Sequence, residues 1–137
     1  LIHEESAWLL RSRINPAPVP GVLSLEGGRI SFTLVGDPGE QPLDWLEESL
    51  GEARLAERLA AGERIPVFDH PVAECSVSWP ITGAGATMIV RTPDGGKWYV
   101  SCEDPAQRRV PGAWAPLGRT RTRAREWKRA LVEAGAS

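Results

Sequence analysis

Arg64 to Glu103 reads RIPVFDHPVAECSVSWPITGAGATMIVRTPDGGKWYVSCE, and the fold turns on this stretch. It divides into four apolar or β-branched runs: Ile65 to Phe68, Glu74 to Trp79, Gly85 to Arg91 and Lys97 to Cys102. The links are Asp69-His70-Pro71, Pro80-Ile81-Thr82-Gly83 and Pro93-Asp94-Gly95-Gly96. Short runs of this kind bounded by Gly, Pro and Asp predict strands joined by turns. The expectation is therefore a meander of four strands, against which the remaining segments pack.

Upstream, Val22-Leu23-Ser24-Leu25-Glu26 and Arg29-Ile30-Ser31-Phe32-Thr33-Leu34-Val35 flank Gly27-Gly28. Two alternating segments around Gly-Gly predict a tight hairpin, because both turn positions need positive φ. Leu23 and Leu25 share one face, as do Ile30, Phe32 and Leu34 on the partner strand. Before the hairpin, residues 15–21 (NPAPVPG) form a proline ladder that removes backbone donors and predicts an extended lead-in. In residues 1–15, Ala7, Leu10 and Ile14 follow helical spacing and predict a short helix.

Between the hairpin and the meander, residues 42–61 are helical in composition. Leu43, Leu46 and Leu50 lie on one face, while Trp45, Leu55 and Leu59 project near the opposite one. A break near Gly51 resolves that conflict, and Gly62 closes the segment. After the meander, residues 104–118 hold Pro105, Pro111, Gly112 and Pro116 and are expected to be irregular, with Trp114 packing onto the body. Ala124, Trp127, Leu131 and Ala134 then make one apolar stripe, which predicts a final helix from Thr122, as cap, to Gly135.

A chain of 137 residues, 42% hydrophobic and 25% charged, fits one domain with a core of its own. No apolar run approaches the ~20 residues of a membrane-spanning helix. No basic-then-apolar leader opens the chain at Leu1, and a removed upstream segment is compatible with that start. Cys75 and Cys102 fall within strand runs and are expected as buried free thiols in a reducing compartment, the cytoplasm, with a disulfide between neighbouring strands as the alternative.

The residues quoted above, from Pro20 to Phe32, then Val67-Phe68-Asp69-His70-Pro71, Val77-Ser78-Trp79-Pro80, Gly96 to Ser101 and Glu126-Trp127-Lys128, together resemble the pleckstrin-homology-like superfamily. Within it the chain resembles small bacterial PH-like or GRAM-like proteins. The resemblance implies a mainly β, α+β fold: a bent antiparallel sheet or barrel of six to seven strands with a C-terminal capping helix. Residues 1–137 then form one domain, with a lead-in over 1–20, a helical insertion over 42–61 and the cap over 121–135. In such a domain the helix plugs one open end of the sheet with an aromatic side chain, and Trp127 is the candidate. Six strands are evident in the sequence, one fewer than the family's seven. Phosphoinositide-binding members carry basic residues along the first hairpin. Here Leu25-Glu26-Gly27-Gly28-Arg29 has a single Arg beside a Glu, so that headgroup site does not carry over.

The chemistry-bearing candidates are few. Asp69-His70 reads as a turn rather than an acid–base pair. The sequence contains no GxSxG, Walker loop, HExxH or CxxC. Gly83-Ala84-Gly85-Ala86 lacks the third glycine of a dinucleotide site. Six tryptophans spread one per element favour packing over a stacking platform, with Trp8 and Trp114 left as an exposed pair. No catalytic residue, metal or cofactor is expected.

Charge is the stronger signal. Residues 1–105 carry a formal −8 and residues 106–137 carry +6. Arg108, Arg109, Arg119, Arg121, Arg123 and Arg125 are the candidate binding residues, with Lys128 and Arg129 beyond them. Arginine forks suit carboxylates and phosphates. Two readings stand: a basic patch for an unknown acidic protein partner or an anionic membrane surface, or a face neutralised by the chain's own acids. Nucleic acid is disfavoured, because Trp127 alone interleaves the arginines and is needed in the core. The expected role is a non-enzymatic interaction or adaptor module. A small-molecule carrier or enzyme using a pocket, and a homodimer pairing edge strands, are the alternatives.

Overall fold

A computed structural model of the protein describes residues 2–12, 17–35, 43–79, 87–102 and 116–135. Strands β1 (Ile2–Leu10), β2 (Val19–Glu26), β3 (Arg29–Leu34) and β4 (Ile65–Pro71) come first. Helices α1 (Asp44–Leu50) and α2 (Leu55–Ala60) lie between β3 and β4. Strands β5 (Ser76–Ser78), β6 (Thr87–Arg91) and β7 (Lys97–Ser101) follow, and helix α3 (Pro116–Glu133) closes the chain. The strands form one bent seven-stranded antiparallel sheet in the order β4-β3-β2-β1-β7-β6-β5.

That order corrects the expected four-strand meander. The first of its strands, β4, pairs with β3 at one end of the sheet, while β5 pairs with β6 at the other. The Asp69-His70-Pro71 link, expected as a turn, is the last part of β4 itself. A 3-10 turn at Val72–Glu74 leaves the strand instead, and its Val72 N–H donates to Gly28 O at 2.8 Å. A bulge in the β3–β4 register explains why Val67 and Phe68 are both buried although adjacent.

The larger correction is at the start of the chain. Residues 2–10 form a strand, not a helix, and supply the seventh strand missing from the sequence reading. Strand β1 pairs along almost its whole length with β2, from Ile2↔Glu26 to Leu9↔Val19. Only Trp8–Leu10 also pairs with β7. The residues before Trp8 thus lie where the sheet opens between β1 and β7. Backbone pairing on one full side and part of the other outweighs the weak helical spacing of three residues. Ile14, one of those three, lies outside the described residues.

The hairpin is as expected. Gly27 and Gly28 have φ of 59° and 75°, and Leu23, Leu25, Ile30, Phe32 and Leu34 all face the core. Gly21 permits a close approach of β2 to β3: a Cβ there would stand 2.5 Å from Phe32 Cε1 and 2.7 Å from Thr33 O. Residues 42–61 break where expected, with Gly51 in the left-handed region at φ 67°. The break turns Leu46, Leu55 and Leu59 into the same core despite their opposed faces on a continuous helix. Glu47 caps the second piece, its Oε2 accepting from Leu55 N–H at 3.1 Å.

Helix α3 begins at Pro116, six residues before the expected start at Thr122. Proline suits a first helical position because its missing N–H has no intrahelical partner there. Gly135, with φ 99°, ends the helix as expected, its N–H donating to Val132 O.

Candidate functional site

Helix α3 carries opposite chemistry on its two sides. Ala124, Trp127, Ala130 and Leu131 are buried against the sheet, and Trp127, 1% exposed, is the largest fully buried side chain described. Its indole meets the His3 ring edge-on, with centroids 4.3 Å apart and planes at 85°. Trp127 therefore fills the opening beside β1, as the resemblance implied.

One of the candidate arginines belongs to this inner side. Arg123 donates from Nε to Glu5 Oε2 and from its Nη2 to Ser6 O. Glu5 and Ser6 lie on β1 before the β7 pairing begins, so Arg123 covers a part of the strand that pairs with β2 but not with β7. Beside this pair, burial pushes the Cys102 thiol up to about 12; Arg123 acts to lower it and Glu5 to raise it. Burial likewise raises Cys75, reinforced by Glu74 and Asp94. Both thiols are buried, as expected, although each lies just beside a strand rather than within one.

The outer side is open. Arg125, Lys128 and Arg129 are exposed, and Val132 stands among them at 68% exposure. The Lys128 Nζ sits 5.5 Å from the centroid of the half-buried Trp79 ring. Glu126 and Glu133 are exposed on the flank of this basic row. Arg119 and Arg121 are part of the helical backbone of α3, and Arg121 stands one turn before Arg125. Arg108 and Arg109 lie outside the described residues. The structure therefore brings Arg125 together with Lys128 and Arg129, and separates Arg123 from them. Val132 was missed in the sequence, although its place five residues past Trp127 already put it off the apolar stripe.

The remaining candidates are resolved by their partners. Asp69 and His70 alternate along β4 and do not act on each other. Asp69 Oδ1 accepts from Arg29 Nε at 3.0 Å, while His70 Nε2 lies 3.6 Å from Asp94 Oδ2. The Thr92 hydroxyl, and then the Gly96 N–H, hold the Asp94 carboxyl below its usual range. Arg29, the lone basic residue of the first hairpin, is thus already engaged by a carboxylate. Trp8 is buried in β1, so it does not form an exposed pair with Trp114. Trp114 and the Gly83-Ala84-Gly85-Ala86 segment lie outside the described residues.

The chain is similar to a crystal structure of the pleckstrin homology domain of ArhGAP27, at 12% identity and a TM-score of 0.50. That match covers 98% of each chain. It is also similar to the solution structure of the PH domain of human oxysterol-binding protein-related protein 11, at 11% identity and a TM-score of 0.41. Here 95% of this chain and 85% of the other are covered. No protein-family model and no curated protein matches the sequence. At these identities the first likeness shows the fold: seven strands in a bent antiparallel sheet with a C-terminal helix.

Proposed function

We propose that this chain is a non-enzymatic interaction module that receives an acidic segment of a partner protein on the outer side of α3. The observation that carries the reading is the exposed row of Arg125, Lys128 and Arg129 around the exposed Val132. Arginine forks and the lysine ammonium supply charge-assisted hydrogen bonds to carboxylates. Val132, at the C-terminal end of that row, supplies an apolar contact whose burial adds to the association. Glu126 and Glu133 favour a narrow segment over a flat anionic surface, which would meet those two carboxylates as well. The engagement of Arg29 by Asp69 leaves the hairpin without a free cation for a phosphorylated headgroup. A cytoplasmic setting goes with this reading and with the buried thiols.

The test compares the chain with a variant carrying Arg125→Glu, Lys128→Glu and Arg129→Glu. A fluorescent peptide rich in Asp and Glu with one apolar anchor is titrated at low and at high salt. Binding that weakens with salt and disappears in the variant is expected. Co-sedimentation with phosphatidylserine vesicles, lost in the same variant and without peptide binding, would replace the protein partner by a membrane surface. Absence of both at low salt would remove the interaction reading.

A further inference from the structure

Where α3 crosses the part of β1 that does not pair with β7, three metal-ligating side chains converge, of which Glu126 also flanks the basic row. His3 and Glu5 are two residues apart on β1 and so share one face of the strand. Glu126 comes from α3, beside Trp127. One ligand atom from each of the three lies within 4.8 Å of the others.

The details of the pair on β1 favour a cation. Glu5 Oε2 is taken by Arg123, which leaves Oε1 turned toward His3 Nε2 at 3.5 Å. That separation is too long for a good hydrogen bond. His3 Nε2 is itself buried and has no hydrogen-bond partner among the described residues. A buried polar nitrogen left unsatisfied calls for an explanation, and a bound ion is one. Two ligands about 2.0–2.2 Å from one tetrahedral zinc ion stand about 3.4 Å apart. The observed 3.5 Å separation matches that spacing. The Trp127 edge contact holds the imidazole in place, and Arg123 holds the carboxylate, as outer partners of a metal site do.

We propose that His3, Glu5 and Glu126 bind a divalent cation of the zinc class, which ties β1 to α3. One imidazole and two carboxylates suit such an ion, whereas magnesium and calcium prefer oxygen alone. The exposed Glu126 provides the entry side. With His3 neutral, the three ligands and Arg123 together carry a single net negative charge, so the positive guanidinium does not make the site cationic.

The experiment titrates the full chain with zinc against a chromophoric chelator and follows chemical unfolding with and without the metal. One equivalent of zinc is expected to bind and to raise the unfolding midpoint, while magnesium at equal concentration does not. Glu126→Gln, at an exposed position that packing does not depend on, lowers zinc affinity by about tenfold or more. His3→Ala lowers it further. Cobalt bound beside Trp127 quenches tryptophan emission in the parent chain, and that quenching is lost in Glu126→Gln. Absence of saturable zinc uptake would overturn the proposal. So would uptake that Glu126→Gln and His3→Ala both leave unchanged, since the ion would then sit elsewhere.

Discussion

The inner and outer sides of α3 use the same residue types for different ends. Arg123 and Arg125 are two positions apart, yet the first is held by Glu5 and Ser6 O while the second faces solvent. Trp127 is buried at 1% exposure, whereas Val132, also apolar, is 68% exposed. A residue's type therefore says less about its role here than its angle around the helix axis. The inner side holds the sheet closed at β1. The outer side is what another molecule would meet.

The sharpest way to break that contrast is to empty the inner side. Trp127→Ala removes the largest fully buried side chain among the described residues and leaves its volume between α3 and β1. A loss of about 3–5 kcal/mol is expected in urea unfolding. Total stabilities of such domains are about 5–15 kcal/mol, so the variant approaches the unfolding threshold. Val132→Ala, the same kind of truncation on the outer side, is expected to stay within about 0.5 kcal/mol. Equal costs for the two would mean that the helix does not cap the sheet.

Arg123→Met is the next probe. It keeps the aliphatic stem, removes the guanidinium and strips the partner from Glu5 and from Ser6 O. Hydrogen bonds to charged groups contribute about 1.5–3 kcal/mol each, and the partial exposure of Glu5 reduces that. A net cost of about 1–3 kcal/mol follows, measured by denaturant unfolding. Arg125→Met, two residues on, is expected to cost nothing measurable. The pair of variants separates a clasp from a solvated charge.

How far the sequence revealed this division depends on which partner each segment meets. The hairpin and the break at Gly51 were legible because Gly27, Gly28 and Gly51 all adopt positive φ, which glycine alone takes freely. The stripe from Ala124 through Trp127 and Leu131 was legible because its face meets an apolar core. Strand β1 was not legible, for a reason visible at His3 and Glu5. These residues share a face with Ala7 and Leu9, so the inner side of β1 starts polar and only then turns apolar. It does so because its polar half meets the Arg123 guanidinium and the edge of the Trp127 ring. The alternation that marks a strand was thus erased at the place where β1 meets the polar side chains of α3. The candidate arginines had the converse problem. All lie in one basic run, and only the turn of the helix sorts Arg123 from Arg125.

The seam between α3 and β1 also has a pH signature. Burial keeps Cys102 neutral up to about 12, against an ordinary value of 9.0. Above pH 9 the unfolded chain releases this proton and the folded chain retains it, so the unfolded state binds fewer protons. Stability then falls as pH rises from about 9 toward 12, and is unaffected by this group below that window. Cys102→Ala is expected to flatten that part of the curve. In the folded chain the thiol reacts with disulfide reagents only as fast as the seam opens, since the thiolate is the nucleophile. Rapid labelling at pH 8 without unfolding would show that the inner side is not closed.

The smallest effect on stability is expected from the outer row, and it carries the most functional information. Reversing Arg125 and Arg129 to Glu places new charge beside Glu126 and Glu133 on a solvated face. Screening limits that repulsion, so unfolding at physiological salt should shift by no more than about 0.5 kcal/mol. Binding of an acidic ligand has no such insensitivity, because each removed guanidinium also removes a fork aimed at a carboxylate. The two measurements therefore diverge if the outer side is an interface: stability is unchanged and affinity is lost. If both stay unchanged, the row is only a solvated surface. If both fall together, these arginines are holding the domain's own acidic residues, and the difference between the two sides of the helix disappears.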